Sequence, residues 1–250
     1  MAAVRMMLRW TVLKPVSRWF LRIRVTGLAN CTGLDQPIIV IANHSSHWDA
    51  VLIHGYLPTK ITKNLATAAA ADHFFQRKRR PLAPRLLFNA FPVERPGKPA
   101  AAPRGLTGHL LDQGTSVLIF PEGTRSRNGG GSRGGLSPGA AILATRGSLT
   151  VLPVRISGTW QAWPPQQHGP RRPRHDVRMV VGKPIAPDDG ESIAAFNQRL
   201  HEAITESPER SVDRASRVVS IVDGFPRIEA VPGMAITDAD VQEWRDSDPR

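Results

Sequence analysis

Only one cysteine, Cys31, occurs in the 250 residues. That excludes an intrachain disulfide and any cysteine-built zinc cage, and it suits a reducing compartment. No window approaches the roughly 18 consecutive apolar residues of a membrane-spanning helix. No acidic residue precedes Asp35, and no internal repeat is visible. Positive charge is abundant: 33 Lys and Arg against 21 Asp and Glu leave a net charge of +12. Such an excess points to an anionic partner, whether phospholipid, nucleic acid or a phosphorylated substrate, unless it only reflects an arginine-rich coding bias. With 41% hydrophobic residues the chain can build one sizeable core.

The chain is organised around Pro37-Ile38-Ile39-Val40-Ile41-Ala42-Asn43-His44-Ser45-Ser46-His47-Trp48-Asp49. Its β-branched run reads as a buried strand that ends abruptly in polar residues, as strands do where they deliver chemistry to a carboxyl edge. On one ideal helix His44 and Asp49, five residues apart, diverge by about 140°. His44 is therefore expected in the loop before a helix over 46–57, capped by Ser45 or Ser46, with Asp49 reaching back to one imidazole nitrogen. A carboxylate there fixes the tautomer and leaves the other nitrogen free as a base.

Upstream, residues 4–24 interleave Val4, Met7, Leu8, Trp10, Leu13, Trp19 and Phe20 with Arg5, Arg9, Lys14, Arg18, Arg22 and Arg24. The pattern predicts two short amphipathic helices with Pro15 near their joint, since proline breaks or kinks a helix interior. Docking on an anionic membrane surface is the preferred reading, each basic residue contributing about 1 kcal/mol. A helix hairpin covering the core and an arginine-rich transit segment are the rivals.

Short strands are expected at 23–26 and 64–70, and buried strands at 116–120, 150–156 and 177–181. Helices are expected over 72–76, 82–89, 100–112 and 138–147, and from Asp188-Asp189 through Ile193, Phe196, Leu200 and Ile204 on one face. Alternating strands and helices give an α/β fold. The basic run Arg77 to Arg80 is a solvated loop or a phosphate contact. Gly129 to Gly134 matches G-x-G-x-x-G and Gly130 to Gly134 matches G-x-S-x-G, but neither has the strand before and helix after that give those patterns meaning. The Gly-rich segment reads as a mobile loop. The tail beyond Pro208 turns acidic and shows no chemistry. The organisation is thus 1–22 docking helices, 23–206 catalytic domain and 207–250 tail.

The second buried strand ends in Phe120-Pro121-Glu122-Gly123-Thr124-Arg125-Ser126. Taken with Asn43-His44-Ser45-Ser46-His47-Trp48-Asp49, this block resembles the glycerolipid acyltransferases of the 1-acylglycerol-3-phosphate acyltransferase family. Phe91-Pro92-Val93-Glu94-Arg95, Val151-Leu152-Pro153-Val154 and Val181-Gly182-Lys183-Pro184-Ile185 are similar to three further blocks, in the same order, over roughly 23–204. The sequence departs from the pattern at Leu136-Ser137-Pro138-Gly139, where a Phe and a Lys-Gly pair are usual, and at Asn89-Ala90, where glycine is common.

The resemblance implies a mixed, mostly parallel sheet flanked by helices, in an enzyme on the cytoplasmic face of a membrane. It implies acyl transfer from acyl-coenzyme A or acyl-carrier protein to a lysophospholipid hydroxyl, 1-acylglycerol-3-phosphate first, giving phosphatidic acid. His44 is implied as base with Asp49 orienting it. Arg95, Glu122, Gly123, Thr124 and Arg125 are implied around the acceptor, the arginines on its phosphate and Glu122 on its hydroxyls or between the arginines. No metal and no cofactor enter, the thioester being a substrate. Two readings from other classes compete. One is a lipid-binding protein of the same fold without turnover. The other is a nucleic-acid-binding protein using Arg77 to Arg80 and Arg171 to Arg174, which lacks interleaved aromatics and any known module.

Overall fold

The structure, a computed structural model, describes residues 2–70, 86–93, 105–123, 135–205, 218–222 and 225–229, with side chains from residue 4 to 205 within those ranges. The chain begins with α1 (Ala2–Leu8), a π-helical segment Arg9–Leu13 and α2 (Lys14–Phe20). There follow β1 (Leu21–Thr26), β2 (Ile39–Ala42), α3 (Trp48–Tyr56), one turn α4 (Thr59–Thr62), β3 (Leu65–Ala70), β4 (Phe91–Val93), α5 (Leu106–Asp112) and β5 (Ser116–Ile119). The remainder is α6 (Gly139–Gly147), β6 (Val151–Ser157), one turn α7 (Thr159–Ala162), β7 (His175–Val181), α8 (Ile193–Thr205), β8 (Val218–Val222) and β9 (Phe225–Glu229).

Seven strands form one sheet in the order β1-β7-β6-β2-β5-β3-β4, and all neighbours run parallel except β6 and β7. The expected mixed, mostly parallel α/β sheet is what the chain builds. β2 is its central strand and is buried on both faces, which is why it reads as a continuous apolar run rather than an alternating one. Ile38, Val40 and Ala42 pack with Trp48, Leu52 and Ile53 of α3 on one face. Ile39 and Ile41 pack with Ala140, Ala144, Phe196 and Leu200 of α6 and α8 on the other. Each face is thus sealed by helices whose apolar stripe matches the period-2 alternation beneath it.

The break expected at Pro15 takes another form. Lys14 N–H donates to Arg9 O, five residues back, so the wide π turn ends where Pro15, with no N–H, follows. Arg9, Leu13 and Ser17 form one buried line, at a spacing of four residues. The Arg9 guanidinium donates to Thr62 O (2.6 Å) and Leu87 O (3.2 Å), and Arg5 donates to the Asn89 side chain. Burial and the charge of Arg5 pull Arg9 down to about 10, which leaves it charged near neutrality. β1 starts at Leu21, two residues before the expected strand, and Leu21 is fully buried. Residues 1–22 therefore include core, and cutting them away would open the sheet.

The exposed part of these helices is rich in apolar side chains: Val4, Met6, Met7, Trp10, Val12, Val16 and Trp19 are seven of the nine exposed large hydrophobic side chains among the described residues, with Lys14 set over the Trp10 ring and Arg172 over the Trp19 ring. No helix among the described residues is long and apolar enough to cross a membrane. The strands expected at 64–70, 150–156 and 177–181 form with shifts of one or two residues, and the loop after β6 contains the extra turn α7. The tail, for which the sequence reading named no element, supplies the antiparallel hairpin β8-β9 beside β1. The helix at 72–76, the basic run Arg77 to Arg80, the first half of the helix at 82–89, most of the Gly-rich segment, and the start of the helix at 100–112 lie outside the described residues. Cys31 is buried, which pushes its thiol up to about 12 and keeps it protonated.

His54 of α3 is buried against the Phe88 ring, and its Nε2 meets Thr67 Oγ1 at 2.7 Å. Burial first, then the charges of Arg9 and Arg5, hold it well below the usual imidazole value of 6.5. The unfolded chain then takes up a proton that the folded chain refuses, so stability is full above that value and falls as pH drops below it. Urea denaturation at pH 7 and pH 5.5 should show wild type losing up to about 1.4 kcal/mol per pH unit more than His54→Gln. Equal losses in the two proteins would refute this assignment.

Candidate active site

Register brings the two polar strand ends together. Ile41 of β2 lies opposite Ile119 of β5, so His44 and Glu122, each three residues further on, emerge side by side at the carboxyl edge. Glu122 Oε1 accepts from the His44 backbone N–H at 3.1 Å. On the other flank Asn43 extends the sheet by one rung with its side chain: Nδ2 donates to Ile156 O (2.8 Å) and Oδ1 accepts from Ile156 N–H (2.7 Å). The loop carrying His44 is thereby tied to the ends of both β5 and β6.

As the spacing predicted, His44 precedes α3 and Asp49 reaches back to it from the first turn. His44 Nδ1 and Asp49 Oδ2 are 2.8 Å apart. Oδ2 also accepts from Ser45 N–H (2.7 Å) and Ser46 N–H (2.8 Å), as the acidic residue of a capping box does. Oδ1 accepts from the Thr159 hydroxyl at 2.7 Å. Asp49 is fully buried, yet each of its oxygens meets donors, the arrangement that lets a carboxylate stay charged away from water. An ionised carboxylate only accepts, so Nδ1 carries the proton and the Nε2 lone pair is free. The Phe120 ring stacks on the imidazole at 4.0 Å and 19°, which fixes its plane, while the His44 side chain stays 22% exposed and open to a reactant.

Of the two capping candidates, Ser46 does the work: its Oγ accepts from Trp48 N–H (3.1 Å) and donates to Trp163 O (2.7 Å). His47 turns away onto the Trp163 ring. Gly123 holds φ +68, a conformation costly for a residue with Cβ, and closes a turn onto Phe120 O. Glu122, read from sequence as a partner of acceptor hydroxyls or of arginines, also braces the His44 backbone. Arg95, Thr124 and Arg125 lie outside the described residues. Beside the edge opens a pocket of about 310 Å³ whose walls include Asn43, Ser45, Glu122, Arg155, Ser157 and His201. Among the described residues no three His, Cys, Asp or Glu side chains gather as a metal-binding group.

Sequence reasoning missed Asn43 as a strand extender and Thr159 as a partner of Asp49. Asn43 sits inside the block that was read, next to His44. Thr159 carries no local signal, because its role depends on a pairing 110 residues away.

A buried carboxylate holding a partly exposed imidazole at the carboxyl edge of a mostly parallel sheet is an arrangement that α/β enzymes can use to take up a proton. The acyltransferase family model matches residues 22–157, more than half of the chain, and the chain belongs to that family. It is 28% identical to a 1-acyl-sn-glycerol-3-phosphate acyltransferase of Pseudomonas aeruginosa over 75% of this chain and 69% of that one. It is 27% identical to the chloroplastic 1-acyl-sn-glycerol-3-phosphate acyltransferase LPAT1 of Arabidopsis thaliana over 66% of this chain and 44% of that one. The chain thus spans less than half the length of the plant relative, and likewise of an algal one from Chlamydomonas reinhardtii at 48%. Its fold is similar to the crystal structure of the 1-acyl-sn-glycerophosphate (LPA) acyltransferase PlsC of Thermotoga maritima, with a TM-score of 0.59 and 23% identity over 85% of this chain and 83% of that one.

The tautomer is open to direct measurement. Nitrogen-15 spectra of the neutral His44 ring should show a protonated Nδ1 and a bare Nε2, and Asp49→Asn should yield a mixture of both tautomers. A protonated Nε2 in wild type would remove His44 as the base.

Proposed function

We propose that the protein transfers an acyl chain from a thioester to the hydroxyl of a lysophospholipid, with 1-acylglycerol-3-phosphate as acceptor and phosphatidic acid as product. The observation that carries this is the His44–Asp49 pair at 2.8 Å, set in register with the Glu122-Gly123 turn. The family and the names of the relatives supply the acyl group and the acceptor. The donor is acyl-coenzyme A or acyl-carrier protein.

In this mechanism His44 Nε2 takes the proton of the acceptor hydroxyl as its oxygen attacks the thioester carbonyl carbon. The imidazolium that forms is stabilised by Asp49. The tetrahedral intermediate collapses, the carbon–sulfur bond breaks, and the leaving sulfur takes the proton from His44. One ester and one thiol result, and no residue of the protein is acylated. Base catalysis contributes about 10² to 10⁴-fold, and holding both substrates at the edge supplies much of the rest. Arg125 and Arg95 offer planar forks for the acceptor phosphate, and Glu122, Gly123 and Thr124 supply its remaining contacts.

The membrane surface is the second partner we propose, on the cytoplasmic leaflet, with the exposed Trp10, Trp19, Met7 and Val16 face inserted among headgroups. The concentration of exposed apolar side chains on the basic helices α1 and α2 supports it.

Two experiments test these readings. With purified protein, lysophosphatidate and acyl-coenzyme A, thiol release should be abolished in His44→Ala and nearly kept in His47→Ala; robust turnover in His44→Ala would overturn the mechanism. Sedimentation with phosphatidylcholine vesicles containing phosphatidylglycerol should show Trp10→Ser/Trp19→Ser binding at least about tenfold more weakly, with an unchanged melting temperature. Undiminished sedimentation would place the docking surface elsewhere.

A further inference from the structure

Among the described residues Thr159 is the one partner of the Asp49 side chain that comes from outside the His44 block. It is fully buried, stands just past the carboxyl end of β6, and donates to Asp49 Oδ1 at 2.7 Å. Its hydroxyl also lies 3.1 Å from Ser45 Oγ. The direction of this chain is forced. Asp49 only accepts, so Thr159 spends its hydrogen on Oδ1, and its own lone pair is left to accept from the Ser45 hydroxyl.

Three donors crowd on Oδ2: Ser45 N–H, Ser46 N–H and His44 Nδ1. Among the described residues Oδ1 has Thr159 alone. Without that hydroxyl a buried anionic oxygen is bare, and the carboxylate turns about its Cβ–Cγ bond to share the Oδ2 donors between its oxygens. Such a turn lengthens the bond to Nδ1, the one donor of the three that sits on a movable side chain.

The placement of Thr159 is itself enforced. A β-branched side chain is stiff at χ1. Gly158 before it holds φ +86, and a Cβ there would lie 2.1 Å from Asp176 O of β7. The chain therefore leaves β6 pressed against its antiparallel neighbour, at an angle only glycine allows.

We propose that Thr159 is a positioning residue of the transfer reaction: its hydroxyl locks the rotation of the Asp49 carboxylate so that Oδ2 stays on Nδ1 of His44. The proposal rests on His44 being the base. It extends the His44–Asp49 pair to a chain of four, Ser45 to Thr159 to Asp49 to His44, and gives the segment after β6 a role in turnover.

Thr159→Val removes the hydroxyl and keeps the shape, and Thr159→Ser keeps the hydroxyl and removes the methyl. Initial rates of thiol release are measured across pH and donor concentration in wild type and both variants. In Thr159→Val, kcat should fall on the order of tenfold while the donor KM moves less than about twofold. The acidic limb of the kcat profile should shift to lower pH, because a carboxylate turned away from Nδ1 stabilises the imidazolium less. Asp49 and Glu122 are the ionisable side chains bonded to His44 among the described residues, and only Asp49 loses a partner in this variant. Thr159→Ser should recover kcat to within about threefold of wild type and restore the limb. A Thr159→Val protein with wild-type kcat and limb would overturn the proposal. So would a Thr159→Ser protein as slow as Thr159→Val, since the methyl would then be what matters. An active His44→Ala, by contrast, removes the base and with it the premise, so the two failures are told apart.

Discussion

An ionised carboxylate cut off from water is among the costliest groups a fold can carry unless donors surround it. Asp49 is such a group, and the edge of the sheet is arranged to supply what it needs. Two backbone N–H groups come from the turn after β2, one hydroxyl from the turn after β6, and one ring nitrogen from His44. The geometry of the histidine follows from that solution. The imidazole lies where it does because it completes the coordination of a buried anion, and its other nitrogen faces outward as a result.

This arrangement depends on β2 lying between β5 and β6, strands distant in sequence. Each neighbour contributes one clamp: Glu122 on the His44 backbone from β5, and Ile156 on the Asn43 side chain from β6. The single antiparallel pairing of the seven-stranded sheet, β6 with β7, lies next to this centre rather than at the rim. It directs the chain after Ser157 back across the carboxyl edge, where a parallel neighbour would carry it the other way. The reversal delivers Thr159 to Asp49 and Trp163 to Ser46.

Local patterns in the sequence disclosed what local physics determines. The apolar runs at β2, β5 and β6, the stripe of Phe196, Leu200 and Ile204 on α8, and the loop position of His44 all follow from periodicity and from a five-residue spacing. What stayed hidden was set by distant pairing. Thr159 looks like any threonine after a glycine until β7 bends the chain onto α3. The tail hairpin is the exception, since its signal is local: the β-branched run Val218-Val219-Ser220-Ile221-Val222 followed by Asp223-Gly224 is the pattern of a two-residue hairpin. Pro15 was read as a break because proline removes one donor, and a π turn that ends at that position needs no donor from it. The basic, aromatic start of the chain announced its exposed face, whereas the buried line of Arg9, Leu13 and Ser17 on its reverse was masked by an arginine in a core position.

That buried arginine sets a distance. With its N–H groups committed to carbonyls at Thr62 and Leu87, and Arg5 held by Asn89, the first helices cannot swing away as a tethered float would. Whatever flat surface accepts their outer face meets the sheet at a fixed height and tilt. On the docking and mechanism proposed above, the reach from that surface to the His44 imidazole is a constant of the fold, a built-in gauge for how far an acceptor hydroxyl must rise to meet it.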